Sequence, residues 1–91
     1  MRLELILEDA EGPVTLAHEF ARPKPVHLDR LTKRVSESPW KANRDLLMDL
    51  VAEGDRDDLG REIEEYPGIV MALSGKLLEM AGATSTVIRK N

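Results

Sequence analysis

The sequence predicts an α+β fold: an N-terminal antiparallel β-hairpin followed by about four short α-helices, in a single domain over residues 1–91. Three observations carry that expectation. Apolar residues alternate along two short runs before residue 21. From Val26 onward the spacing changes to threes and fours. Proline, glycine and Ser-Pro signals then cut the remainder into helix-length pieces.

Leu3, Leu5 and Leu7 alternate with Arg2, Glu4 and Glu8, with Ile6 as the exception. Val14, Leu16, His18 and Phe20 alternate with Thr15, Ala17 and Glu19. Two period-two runs around the turn-forming segment Asp9 to Pro13 give a hairpin over 1–21 with a Gly-Pro turn. Pro23 and Pro25 end it, because proline cannot donate to a ladder. The helical part is expected over 26–82. Leu28, Leu31 and Val35 form a helical stripe over roughly 26–36. Ser38-Pro39 starts a second helix that Gly54 stops, with Trp40, Leu47, Leu50 and Val51 on one face. Asp55 is placed to cap a third, anchored only by Leu59 and Ile63. Pro67 opens a fourth helix running to about Ala81, with Gly82 as its C-terminal cap. Residues 83–91 carry no helical stripe and are read as a mobile tail.

Composition narrows the function. Ninety-one residues make one core and not two, and such a chain buries roughly 60–65% of its unfolded surface. Cysteine is absent, which removes disulfides, thiolate metal sites and thiol nucleophiles. The opening MRLELILEDAEGP is interrupted by Glu4 and Glu8, too early for a signal peptide, and no run approaches the ~20 apolar residues of a membrane span. A soluble cytoplasmic protein without membrane contact is expected. The net charge of −4 is unevenly spread: residues 22–44 carry +5 and residues 45–79 carry −7. Such asymmetry either steers a charged partner or is neutralised between neighbouring helices.

Catalytic and metal chemistries find no footing. His18 and His27 are nine apart with no HxH or HExxH spacing. Asp55, Asp57 and Gly60 follow a calcium-loop pattern, but Leu59 and Tyr66 stand where its oxygen ligands belong. Gly75-Lys76 lacks both the first glycine and the hydroxyl residue of a phosphate loop. No enzyme activity and no cofactor is expected.

What remains is binding. Between residues 69 and 81 only Ser74, Lys76 and Glu79 are polar, so the last helix is expected to carry more apolar surface than a short chain covers. Gly68, Ala72, Gly75 and Gly82 form a row of small residues that lets another backbone come close. The candidate partner-binding residues are Trp40, Leu47, Leu50 and Val51, with Val70, Met71, Gly75 and Leu78. They meet a protein partner or a second copy of the chain. The alternative is a small regulatory or nucleic-acid-binding protein using the basic segment 22–44 through Arg22, Lys24, Arg30, Lys33 and Arg34. The acidic whole and the lack of stacking aromatics near those bases make nucleic acid the less favoured partner.

The order of elements resembles the small tail assembly chaperones of long-tailed bacteriophages. The resemblance lies in the hairpin LELILEDAEGPVTLAHEF, the basic-proline junction ARPKP leading into VHLDRLTKR, then NRDLLMDLV and the closing PGIVMALSGKLLEMAG, together residues 3–82. It implies a virion-assembly factor of phage or prophage origin, made in the host cytoplasm. Such a factor binds the tape measure protein, helps recruit tail tube subunits and is absent from the finished particle. The resemblance brings no catalytic residues with it.

Overall fold

The inward leucines of the first run make sense only with a second strand beside them, and the chain supplies it at once. The computed structural model describes residues 1–83 and 87–89. β1 (Arg2–Asp9) pairs antiparallel with β2 (Gly12–Glu19) in the register Leu3↔His18, Leu5↔Leu16 and Leu7↔Val14. The turn is Ala10-Glu11, not Gly-Pro: Gly12 already pairs with Asp9, and Pro13 lies within β2 opposite Glu8. The reason is backbone freedom. Gly12 takes φ +118°, a conformation that side chains resist, and no non-glycine residue described has a positive φ.

Among the described residues four helices follow: α1 (Pro25–Val35), α2 (Pro39–Leu50), α3 (Arg56–Glu65) and α4 (Ile69–Met80), with a 3₁₀ turn at Glu53–Asp55 leading into α3. The α+β expectation and the four-helix count hold. Ser38 caps α2 by accepting from the Lys41 amide. At α1 the cap is made differently. The Lys24 amide donates to Nδ1 of His27, so the imidazole acts where Glu or Gln usually does. α2 ends at Leu50, before Gly54, because Val51 turns extended and bridges to Phe20. Gly82 closes α4 at φ +99°, with the Ala83 amide bonded to Leu78 and the Gly82 amide to Glu79, a Schellman arrangement.

The core has one layer of helix against one face of sheet. Leu3, Leu16 and Phe20 of the hairpin meet Leu46, Leu47, Leu50 and Val51, with Leu59 and Ile63 from α3 and Ile69, Val70, Leu73 and Leu77 from α4. α2 is central, packed on α1 at one side and α4 at the other. α1 buries no residue: Leu28 and Leu31 are half-buried and Val35 is exposed. Of the expected tail, residues 84–86 and 90–91 lie outside the described residues; Val87 and Ile88 are exposed.

Three polar residues described are buried with the core, His18, Asn43 and Ser74, and of these His18 meets carboxylates. His18 is 6% exposed, and its Nε2 lies 2.6 Å from Oε1 of Glu62 on α3. Its Nδ1 faces the Asp55 carboxylate at 3.8 Å without a hydrogen bond. Asp55 stands at the N-cap position of α3, as expected, but its side chain makes no capping hydrogen bond. Its Oδ2 accepts from the Glu19 amide, drawn to the hairpin by the unpaired edge of β2. Glu62→Ala strands the buried imidazole and is expected to cost about 1–3 kcal/mol in chemical denaturation. A loss below a few tenths would mean that His18 is held by packing alone.

Candidate interaction surfaces

The residues expected to face a partner divide sharply. Leu47, Leu50, Val51 and Val70 are buried in the core and are corrected to structural residues. Sequence periodicity finds an apolar stripe but does not say which stripes the chain itself covers; here the hairpin and α4 cover that of α2. Trp40 and Met71 stay open at 37% and 49% exposure, and Leu78 is half-buried against the core. α4 is therefore two-sided. Ile69, Val70, Leu73, Ser74 and Leu77 face inward, while Met71, Ala72, Gly75, Lys76 and Met80 face out. No close approach among the described residues explains Gly75, where an added Cβ meets nothing within 4 Å.

The basic segment is largely engaged internally. Arg30 pairs with Asp49 at 3.5 Å, Arg34 with Asp45 at 3.3 Å and Lys33 with Asp29 at 2.9 Å. Arg22 and Lys24 form no ion pair among the described residues. The charge asymmetry in the sequence is thus neutralised mainly where α1 lies on α2.

Of the expected partner-binding residues, Trp40 alone lines one of the two larger clefts described; Met71, Gly75 and Leu78 line neither. The first runs between α2 and α3. Trp40, Arg44 and Met48 stand four apart on α2; Arg56, Gly60, Ile63 and Glu64 line α3; Pro67 closes one end. The cleft measures about 490 Å³. Trp40 is fixed by its indole N–H donating to the Pro67 carbonyl at 2.9 Å, and the Arg44 guanidinium lies over the ring at 5.5 Å. Gly60 leaves the floor bare: an added Cβ would meet open space. Trp40 and Met48 share one helix and their proximity is legible in the sequence; Ile63 and Gly60 join them only through the α2/α3 packing. The second cleft, about 520 Å³, lies between β1 (Arg2 to Leu5) and Ala72, Leu73 and Lys76 of α4.

No group of three or more His, Asp or Glu side chains among the described residues is placed to hold a metal ion. No helix among them is long and apolar enough to cross a membrane.

The junction of α3 and α4 also fixes the hairpin tip. The Tyr66 hydroxyl donates to Oδ2 of Asp9 at 2.6 Å. That bond, helped by the amides of Ala10 and Glu11, holds the Asp9 carboxyl below its ordinary range, and the same bond pushes Tyr66 up to about 12. The signs are opposite. The Asp9 contribution is present above the ordinary carboxylate pKa of about 3.9 and is lost as pH falls through its lowered value. The Tyr66 contribution is present below about 10 and is lost as pH rises through about 12. In Tyr66→Phe, a carbon-detected NMR titration of Asp9 is expected to move back toward ordinary aspartate behaviour; an unchanged Asp9 curve would mean that no such tether forms.

Residues 1–90 match the model of a family described as a domain of unknown function (DUF6848). A solved structure of an uncharacterised protein from Bacillus stearothermophilus is similar, with a TM-score of 0.78 and 26% identity over 99% of this chain and 90% of that one. No curated protein matches. With coverage this complete on both sides, the hairpin and its four helices are shared as one unit, and the chain belongs to the DUF6848 family.

Proposed function

We propose that this chain is a non-enzymatic protein-interaction module whose α2/α3 cleft receives an amphipathic helical segment of a partner protein. The specific form proposed is a tail assembly chaperone of phage or prophage origin, acting in the host cytoplasm on the tape measure protein. The observation that carries the reading is the cleft built on Trp40: an exposed indole clamped in place, with an apolar wall of Met48, Ile63 and Pro67 and a bare glycine floor. Clamping matters because an anchor already held in its rotamer loses less freedom on binding.

Charge narrows the partner. Arg56 and Glu64 stand at opposite ends of the α3 wall, eight residues or about 12 Å apart, and neither forms an ion pair among the described residues. A helix with apolar residues at its centre, an acid toward Arg56 and a base toward Glu64 complements both. Helix-in-groove recognition uses such anchors at three- and four-residue spacing. The layout resemblance to tail assembly chaperones supplies the partner's name, because a long helical tape measure protein offers many such segments.

The alternative, nucleic-acid binding through residues 22–44, is less favoured because Arg30, Lys33 and Arg34 already face carboxylates. A steep loss of DNA or RNA affinity with rising salt would favour it instead.

The test uses Gly60→Leu. The side chain enters open space in the cleft, and replacing a helical glycine stabilises α3 by roughly 0.5–1 kcal/mol. Co-expressed with the tape measure protein encoded in the same genome, the parent chain is expected to keep that protein in solution. Gly60→Leu, with an equal or higher Tm, is expected to lose this effect. A blocked cleft that works as well as the open one, or a parent chain with no effect, would overturn the proposal.

A further inference from the structure

The two edges of the hairpin are not equivalent. Phe20 and Met1 exchange both backbone hydrogen bonds, at 2.8 and 2.7 Å, so they form a hydrogen-bonded pair. Alternation along the ladder then turns the backbone groups of Leu3, Leu5 and Leu7 toward β2, and those of Arg2, Glu4, Ile6 and Glu8 away from it. On β2 the outward groups belong to odd-numbered residues. That edge is blocked at both ends, leaving only Thr15 and Ala17 between them: Pro13 has no N–H to offer, the Glu19 amide and carbonyl are taken by Asp55 and Ala52, and the Ala21 amide goes to Leu50. The β1 edge has none of these protections. The backbone groups of Arg2, Glu4, Ile6 and Glu8 make no hydrogen bond outside the strand among the described residues, and the edge includes no proline and no lysine.

We infer that this edge is the interface for a second copy of the same chain, with the two β1 strands pairing antiparallel across a two-fold axis at Leu5 to form a four-stranded sheet. The register follows from charge. Outward-facing backbone groups must meet one another, so an even-numbered residue pairs with an even-numbered one. Centring the axis on Glu4 sets the two Glu4 carboxylates opposite each other. Centring it on Ile6 sets Glu4 opposite Glu8 twice. Centring it on Leu5 pairs Arg2 with Glu8 twice and Glu4 with Ile6 twice, and it is the one long register without facing like charges. Arg2, now 3.6 Å from its own Glu4 on the surface, turns to the second copy.

The inner face agrees with the same register. Leu3 falls opposite Leu7, and Leu5 opposite Leu5, in non-hydrogen-bonded pairs where side chains come closest. The cleft of about 520 Å³ beside Leu3 and Leu5 receives those leucines against Ala72 and Leu73. The small outward row of α4, Ala72 and Gly75, then has a use that contacts within one chain do not provide. It leaves room beneath the joined strands for the second copy's leucines and helix. The interface is self-complementary, as a two-fold contact must be.

The experiment is a charge swap followed by sedimentation equilibrium on the full chain. The parent is expected to be a dimer. Arg2→Glu and Glu8→Arg each place two like-charge pairs in the interface and are expected to weaken dimerisation about tenfold or more. The double variant Arg2→Glu with Glu8→Arg is expected to restore it. Arg2 and Glu8 are exposed, so circular dichroism and Tm of the monomers serve as the folding control. Amide exchange adds a second readout: Glu4, Ile6 and Glu8 gain protection with rising protein concentration. A parent that stays monomeric at millimolar concentration, single variants that dimerise as tightly as the parent, or a double variant no better than the singles would each overturn the inference.

Discussion

A two-stranded hairpin by itself is barely stable in water, so everything in this protein follows from how its inner face is covered. Phe20 does most of that work. It is 1% exposed and bridges to Val51, which unwinds the end of α2 into an extended segment. The bonds from Ala21 to Leu50 and from Ala52 to Glu19 then tie the sheet to the helix by backbone as well as by side chains. From that seat Leu47 and Leu50 lie under the strands, α4 fills the far side, and α3 reaches back to hold His18 through Glu62. Burying one large aromatic removes on the order of 150–250 Å² from water, a large share for a chain with a single phenylalanine.

Electrostatics here is mostly local bookkeeping between neighbours. The ion pairs joining α1 to α2 are exposed, and pairs of that kind contribute between about 0 and 1 kcal/mol each. α1 has no buried residue to add. It is consequently the element least firmly attached to the core, lying over α2 by half-buried leucines and charge. The His18 cluster differs because the imidazole is out of water. Its two neighbouring carboxylates arrive from the 3₁₀ turn and α3: Glu62 is held by the imidazole itself and Asp55 by the Glu19 amide beside it.

The Trp40 cleft and the β1 edge are separate surfaces. The first is walled by α2 and α3, the second by β1 and α4, and they share no lining residue. The dimer proposed along the edge would therefore leave the Trp40 cleft of each copy free, a two-fold particle with two equivalent sites for the proposed partner. Binding of a partner with repeated helical segments to such a particle gains from effective concentration.

Sequence alone determined the elements. Period-two leucines, the Ser-Pro cap, Gly82 and the stripe of α4 act over a few residues, and local backbone and capping physics settles them without the rest of the chain. The α+β class and the anchoring of α3 by Leu59 and Ile63 were legible for that reason. Tertiary structure alone decided which apolar faces stay open. Leu47, Leu50, Val51 and Val70 read like surface for a partner and proved to be core, while Met48 on α2 and Gly60 and Ile63 on α3 become walls of one cleft only through the packing of those two helices. Pro13 apart, the two edges of the hairpin look alike in sequence; only the fold brings residues 50–55 against one of them and, among the described residues, leaves the other bare. Coverage is a property of pairs of elements distant in the chain, and no local pattern encodes it.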